Sequence, residues 1–311
     1  MTSSSLIASS SRPRSALLIV PLPRPAPARY SLPAMYALLL SDAFRPYLAV
    51  FVFLTSACLG SFLNVCIWRI PRGESIVWPG SHCPDCGHAL SALDNIPLLS
   101  WLFLRGRCRY CHRPITPRYF IVELLVALLF TGLFWLHGPT PLCAVYLAFA
   151  GILVACAFID IEHYILPDRF TLGALAAGLL LSALWPPLHA AETWHQGLIR
   201  AVIGAALGGG ILYLTGVVGR LILHRDAMGL GDVKLLAAIG ALLGWQSVLF
   251  VILVSSLTGT LTGLTLIACG RRTLAGRIPY GPHLALAAII WMFIGPAVVR
   301  LYWGWVMGPA L

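Results

Sequence analysis

The chain has 311 residues, of which 59% are hydrophobic and only 10% are charged. Soluble domains carry about 25% charged residues, so this composition excludes an ordinary soluble protein and predicts an all-α polytopic membrane protein. The net charge of +10 comes mainly from arginines in loops between apolar runs. It therefore carries information about membrane topology and predicts a lipid bilayer, not a nucleic acid, as partner.

The first 45 residues differ from the rest of the chain. They are rich in Ser, Pro and Arg, contain no acidic residue before Asp42, and hold an apolar run too short to span a bilayer. No small-residue cleavage site follows a proper apolar core. Residues 1–45 are therefore predicted to be an N-terminal extension, either a basic presequence or a stretch upstream of a true start at Met35.

Eight apolar runs are long enough, or nearly so, to span about 30 Å of hydrocarbon as helices. They lie near 46–68, 119–136, 142–160, 169–185, 198–223, 233–246, 247–269 and 283–305. We expect residues 46–118 to contain the first transmembrane helix and a small soluble segment, and residues 119–311 to form a transmembrane domain.

Basic residues are unevenly distributed between the loops. The 69–118 segment is rich in arginine, whereas loops 137–141 and 186–197 contain no Lys or Arg. The positive-inside rule then places the soluble segment in the cytoplasm, together with Asp160, Asp232 and Lys234, and both termini on the opposite side of the membrane. The arginines upstream of Met35 would lie on the wrong side, which favours the Met35 start.

Four cysteines in the soluble segment form two CxxC pairs, Cys83 with Cys86 and Cys108 with Cys111, separated by 21 residues. This spacing is typical of a tetrahedral zinc site with four thiolate ligands. A reducing cytoplasm argues against disulfides, although redox-active pairs remain the alternative. Since four thiolates fill the site, the nearby His82, His88 and His112 are expected to face solvent.

Two acidic residues end or begin apolar runs near the same membrane face. Asp160 closes the run 142–159, and Asp232 follows Gly229 and Gly231 at the start of another run. A charge at such a depth is costly unless it has a task. Paired carboxylates predict an aspartic-protease pair, in which one carboxyl holds a proton and the other activates water. Alternatively, both acids end helices and face headgroup water.

Neighbouring residues are assigned supporting roles. Gly229 and Gly231 leave the backbone bare, so an extended substrate strand can approach. Lys234 either tunes Asp232 or anchors its helix at the headgroups. Asp168 follows a proline and precedes an apolar run, so it is expected to be a helix N-cap.

Three further features concern helix packing and lone acids. Gly208-Gly209-Gly210 lies within an apolar run and predicts close helix packing. Glu162 is expected to be solvated. Glu123, just inside a helix start, either pairs with Arg118 or takes part in other chemistry.

An ordered set of motifs resembles the bacterial type IV prepilin peptidases, which are aspartic proteases of the GxGD class. The resemblance covers about residues 46–305. Its motifs are Gly60-Ser61-Phe62-Leu63-Asn64-Val65, Arg69-Ile70-Pro71, the two CxxC pairs around Asn95-Ile96-Pro97-Leu98-Leu99-Ser100-Trp101-Leu102, Leu104-Arg105-Gly106-Arg107-Cys108, Tyr119 and Glu123, Ile159-Asp160 with Leu166-Pro167-Asp168, Gly229–Lys234 and Ile278-Pro279-Tyr280-Gly281-Pro282.

The resemblance implies a bifunctional enzyme. It would cleave the leader from type IV prepilins or type II secretion pseudopilins and then N-methylate the new N-terminus with S-adenosylmethionine. The catalytic pair carries over to Asp160 and Asp232; in the motif too, the reactive acid stands seven positions before the proline.

The cofactor site is implied to involve the 60–118 segment. There Glu74 could contact the cationic sulfonium and Gly106 could let the cofactor approach the backbone. Loop solvation and turn geometry are the alternative roles of these two residues.

Three other functions remain open from the sequence. One is a membrane transporter that uses Asp160 and Asp232 as ion sites, which predicts related halves with broken helices. Another is a zinc-ribbon membrane scaffold without chemistry. The third is a peptidase that has lost methylation.

Overall fold

The computed structural model describes residues 43–224, 228–270 and 278–307. Within these ranges the chain is a bundle of α-helices, and its only β-structure is two isolated bridges. The N-terminal extension up to residue 42, including Met35, lies outside the described residues, as do Arg225 and the basic loop 271–277.

The described residues form nine α-helices. These are α1 (Arg45–Arg69), α2 (Leu99–Phe103), α3 (Arg118–His137), α4 (Pro141–His163), α5 (Asp168–Leu184), α6 (Trp194–Leu223), α7 (Leu230–Leu243), α8 (Trp245–Ala268) and α9 (Gly281–Met307). Short 3₁₀ turns cover Ile70–Arg72, Ala92–Asn95 and Pro186–His189. The soluble segment between α1 and α3 contains α2 and both bridges.

Each of the eight predicted apolar runs corresponds to one helix, and six of these are long enough to span a membrane, which confirms an all-α polytopic membrane protein. Of the described helices, α1, α3, α4, α6, α8 and α9 are long and apolar enough to cross a membrane. The other two are shorter, with 17 residues in α5 and 14 in α7. At 1.5 Å per residue they span roughly 25 Å and 21 Å, less than a hydrocarbon core.

The core lies where α4, α7 and α9 meet, and α1 and α3 extend it on one side. Its largest fully buried side chains include Ile67, Leu153, Ile239 and Met292, and they belong to one contiguous apolar cluster. Residues 235–242 of α7 are all buried. Because neighbouring helices surround α7, it can be shorter than the bilayer without exposing backbone groups to lipid.

Helices α6 and α7 touch through their backbones. A Cβ added to Gly204 would lie 2.1 Å from the carbonyl oxygen of Gly240, and one added to Gly208 would lie 2.4 Å from that of Leu236. Only glycine permits such an approach. The predicted close packing is thereby confirmed at Gly208, whereas a Cβ on Gly210 would meet nothing within 4 Å.

We therefore expect Gly208→Ala to destabilise the folded protein by about 1–3 kcal/mol, since its new methyl group collides with the α7 backbone. The matched control is Gly210→Ala, two residues away in the same helix. It should leave stability unchanged or raise it by up to about 1 kcal/mol, because alanine is the better helix former. Denaturant unfolding in detergent measures both, and equal stabilities of the two variants would contradict the packing argument.

Candidate active site and metal centre

Asp160 lies in the last turn of α4 and points into the bundle. Tyr164 ends this helix in a left-handed conformation, with φ at 57°, and its N–H donates to the Asp160 carbonyl at 3.0 Å. The Asp160 residue is only 6% exposed. Its Oδ2 accepts a hydrogen bond from the backbone N–H of Gly281, the first residue of α9, at 2.9 Å. The positive end of the α9 dipole therefore faces this carboxylate.

Asp232 lies in the first turn of α7, after the N-cap Gly229. Gly231, which precedes it, and Gly281, which binds Asp160, both pack against Leu166, so the structure brings the two predicted acids to the same end of the bundle. Its Oδ1 is buried and has no hydrogen-bond partner among the described residues. A buried carboxylate oxygen without a partner is costly, and it is the natural place for a substrate group or a water to bind.

Glycines and Leu166 allow these segments to converge. A Cβ on Gly231 would lie 2.8 Å from the Leu166 Cβ, and a Cβ on Gly281 would lie 2.8 Å from Oδ2 of Asp160. The Leu166 side chain thus fills the space beside Gly231 that was expected to admit a substrate strand. A Cβ on Gly229 would lie 3.0 Å from Oδ2 of Asp232.

Gly281 is a site residue to which sequence reasoning gave no role. Its motif, Pro279-Tyr280-Gly281-Pro282, was part of the family resemblance and was the available signal. Gly281 belongs to α9, whereas Asp160 belongs to α4. In the folded protein Gly281 provides both the N–H and the open space that Asp160 needs.

Lys234 and Asp168 form an ion pair that the sequence did not predict. The Nζ of Lys234 donates to Oδ1 of Asp168 at 2.6 Å, in a partly exposed ion pair. Helix α5 begins at Asp168 itself, with Pro167 as N-cap and no side-chain capping bond. The prediction that Asp168 is an N-cap is therefore wrong, because its carboxylate binds the α7 lysine instead.

Arg118 also has a partner that the sequence did not predict. Its Nη1 lies 2.7 Å and 2.5 Å from the two carboxylate oxygens of Glu162, in the same helix turn of α4 as Asp160. The alternative that Glu123 pairs with Arg118 is wrong. Glu123 instead accepts a hydrogen bond from the Leu98 N–H at 2.8 Å. Glu162, expected to be solvated, is partly exposed but ion-paired.

The two residues suggested for cofactor binding differ in their surroundings. Glu74 is exposed, and its N–H donates to the Arg69 carbonyl at 3.1 Å. Gly106 is buried with φ at 66°, and an added Cβ would lie 2.9 Å from the Trp101 ring. Turn geometry and packing therefore account for Gly106.

The four cysteines converge as predicted. All four Sγ atoms of Cys83, Cys86, Cys108 and Cys111 lie within 4.8 Å of one another, and the sulfurs of Cys83 and Cys111 are 3.8 Å apart. Sulfurs bound tetrahedrally to zinc at about 2.3 Å are about 3.8 Å apart, so the donor set fits that ion. The three nearby histidines are exposed and outside this four-cysteine cluster, as expected; they are His82, His88 and His112.

The two CxxC pairs have similar local folds. In each, the N–H of the first cysteine donates to a carbonyl five residues later, from Cys83 to His88 and from Cys108 to Arg113, both at 2.9 Å. A residue with positive φ follows each second cysteine: Gly87 at 70° and His112 at 56°. Such tight turns direct both thiols of a pair to one point.

Local hydrogen bonds favour thiolate at Cys108, whereas burial and the three neighbouring thiols raise the pKa of Cys111 to about 12. The backbone N–H groups of Cys111 and then Tyr110 lower the pKa of Cys108 to about 7, and thiolate is the form that binds metal. Arg109, between the second pair of cysteines, donates to Asp94 at 2.6 Å. The Ser91 hydroxyl and then Arg109 lower the pKa of Asp94.

Fold and site together define a multi-pass helical membrane protein with a buried Asp160, a half-buried Asp232 at the same end of the bundle, and a four-cysteine centre. Residues 147–264 match the type IV leader peptidase family, and residues 54–137 match the bacterial peptidase A24 N-terminal domain. The chain belongs to the type IV leader peptidase family, and the resemblance predicted from its motifs is confirmed.

Similar proteins carry matching names. A prepilin leader peptidase/N-methyltransferase of Aeromonas hydrophila is 40% identical over 275 residues, covering 81% of this chain and 92% of the relative. One of Myxococcus xanthus is 44% identical, covering 73% and 66%. A type 4 prepilin-like proteins leader peptide-processing enzyme of Escherichia coli is 37% identical, covering 82% and 98%. No solved structure matches the chain.

The contact between Gly281 and Asp160 leads to a test of the site. Gly281→Ala places a methyl group against Oδ2 of Asp160 and should lower the rate of leader-peptide cleavage by about 10- to 100-fold, the scale expected when a reacting group is displaced by about 1 Å. Gly304→Ala is the control in the same helix, since its Cβ would meet nothing within 4 Å. Cleavage of a purified prepilin measures both; wild-type rates for Gly281→Ala would contradict the geometry.

Proposed function

We propose that this protein is a bifunctional prepilin-processing enzyme: it cleaves the leader peptide of type IV prepilins and methylates the new N-terminal amine. Pseudopilins of type II secretion have the same chemistry and are proposed as substrates too. The observation that carries the proposal is the convergence of the Asp160 and Asp232 segments on Leu166, in a chain of the type IV leader peptidase family. The names of the similar proteins support both activities.

Cleavage is proposed to use the two aspartates as a general acid and a general base. One carboxylate takes a proton from a water molecule as that water attacks the scissile carbonyl carbon, and the other carboxyl gives a proton to the carbonyl oxygen. The C–N bond then breaks as the leaving amine takes a proton from the pair. The Gly281 N–H fixes Oδ2 of Asp160, while Oδ1 of Asp232 is left for water or substrate.

The four-cysteine segment and the acid pair are proposed to face the cytoplasm from the inner membrane. Arg118, where the segment ends, contacts Glu162 close to Asp160, so both features lie at one end of the bundle. The positive-inside rule supports the cytoplasm for this arginine-rich end. A basic leader could then remain in the cytoplasm while the apolar pilin segment stays in the bilayer.

The ion in the four-cysteine cluster is proposed to be a structural zinc held by Cys83, Cys86, Cys108 and Cys111. The segment between α1 and α3 has little apolar core of its own, and metal binding would stabilise it. Four protein ligands leave no open coordination position, so no step of the reaction is assigned to the metal. Residues 46–118 are proposed as a unit that supports methylation, and residues 119–311 as the peptidase unit.

S-adenosylmethionine is proposed as methyl donor: the new N–C bond forms as the C–S bond breaks, sulfur keeps the electron pair, and the amine loses a proton. The chain must hold the cleaved N-terminus near that donor. The described residues contain no glycine-rich dinucleotide motif on a strand, so the donor site must be formed by helices and loops.

Substitution of the acids tests the peptidase. Asp160→Ala and Asp232→Ala should each lower prepilin cleavage by about 10³-fold or more, because each removes one partner of the proton transfers. Asp168→Ala is the control. It removes a partly exposed ion pair, so cleavage should fall by less than about fivefold. Mass spectrometry of the prepilin gives the rates, and full activity of either of the first two variants would contradict the assignment.

Metal analysis tests the four-cysteine centre. Purified wild-type protein should contain about one zinc ion per chain, and Cys108→Ser should lose most of it together with thermal stability. Cys269→Ser changes an exposed cysteine outside the cluster and should retain zinc. Inductively coupled plasma mass spectrometry measures the metal. A metal-free wild-type protein with the same melting temperature as Cys108→Ser would refute a structural zinc.

A further inference from the structure

A cavity of about 380 Å³ lies between α1 and the soluble segment. One wall is the face of α1 that turns toward the loops, and the opposite wall consists of two loop stretches. Its lining residues are Cys58, Ser61, Phe62, Val65, Arg69, Ile76, Val77, Pro79, Gly80, Ser81, Asn95 and Pro97. The volume is within the range of about 300–1,000 Å³ that is typical of small-molecule sites.

A buried arginine fixes the first loop stretch against α1. Arg69 is 7% exposed, and its guanidinium donates to the Ser75 carbonyl at 2.9 Å and to the Gly80 carbonyl at 3.3 Å. These bonds hold residues 75–80 over the helix. The cavity wall is therefore built by a buried charged group, which also places positive charge on its lining.

A buried glutamate fixes the second stretch. Glu123 is 7% exposed and accepts hydrogen bonds from the Leu98 N–H and the Ser61 side chain. Leu98 has φ at 63° and ψ at −52°, a conformation that non-glycine residues rarely adopt. Strained backbone persists where its surroundings hold it in place, and it is enriched at binding sites. Glu123 thus holds Ser61 of α1 and the stretch that ends at Leu98 in a fixed position relative to each other.

The lining offers groups suited to the parts of S-adenosylmethionine. Phe62, Val65 and Pro79 provide apolar surface for a flat purine. Ser81 and Asn95 offer hydrogen-bonding groups for ribose. The guanidinium of Arg69 on the lining favours the amino-acid carboxylate.

A second cavity has the wrong charge for this ligand. It has about 390 Å³ and lies on the metal-binding turn, where Arg105, Arg107 and Arg109 line it together with His112. Its three guanidinium groups would repel a sulfonium ion more strongly than the single guanidinium group on the lining of the first cavity. Gly106, which lies between two of these arginines, is accordingly not at the favoured site.

We propose that the cavity between α1 and residues 75–97 is the S-adenosylmethionine site of this protein. The proposal rests on the methyltransferase half of the function proposed above, and it locates that activity at α1 and the loops held by Arg69 and Glu123. The cleaved substrate would present its N-terminal amine at the cavity mouth.

A cavity-filling substitution tests the location by direct binding. Val65→Trp fills the space from the α1 wall, and Ser81→Trp fills it from the loop wall. Leu59→Trp is the control, since Leu59 is on α1 but is 50% exposed and outside the cavity. Equilibrium dialysis of tritiated S-adenosylhomocysteine against each purified protein measures the affinity. Size-exclusion profiles and melting temperatures identify variants that do not fold.

We expect each filling variant to bind at least tenfold more weakly than wild type and Leu59→Trp to bind unchanged. Ultraviolet cross-linking of labelled S-adenosylmethionine to the wild-type protein should label peptides within residues 58–97. Unchanged binding by both filling variants, or labelling confined to 104–112, would overturn the location while leaving the methyltransferase intact. Wild-type protein that neither binds the ligand nor methylates a cleaved pilin would overturn both proposals.

Discussion

The rest of the structure depends on placing two acidic side chains, Asp160 and Asp232, at one end of an apolar helix bundle and shielding them from bulk water. Charges at such a position are expensive, and the chain offsets part of that cost by aiming the N-terminus of α9 at Asp160, through the Gly281 N–H. The bond requires three chain segments to meet within van der Waals distance, with Leu166 between Gly231 and Gly281. Glycine at those positions is therefore a packing requirement of the acid pair.

The same requirement explains the unusual form of α7. The helix has only 14 residues and is buried along most of its length, so its position is set by its neighbours and not by the bilayer surfaces. Its backbone contacts that of α6 at Gly204 and Gly208, while Lys234 binds Asp168 at the start of α5. Asp232 thus stands on a short helix that is held along its length by packing and near its start by an ion pair.

Sequence patterns predicted the features that depend on composition and local spacing, namely the helices and the four-cysteine cluster. They predicted few of the contacts that depend on how the helices face each other. Apolar runs gave eight helices, and CxxC spacing gave the four-cysteine cluster. The partners of Lys234 and Arg118 were not predictable, because a long cation can reach any acid near its helix end and the choice follows from helix rotation. Likewise, Gly281 could be recognised as part of a motif, but its contact with Asp160 spans 121 residues of sequence.

Helix α3 connects the two proposed reaction sites. Arg118 in its first turn binds Glu162, two residues from Asp160, and Glu123 five residues later holds Leu98 at the cavity. Five residues correspond to a rise of about 7.5 Å, so one rigid element fixes the distance between the acid pair and the cavity wall. A cleaved pilin whose apolar helix stays in the bilayer would then need to shift only its free N-terminus. Cleavage comes before methylation in this scheme, because the N-terminal amine does not exist until the leader leaves. The shared helix α3 keeps the distance that the new N-terminus must move short and fixed.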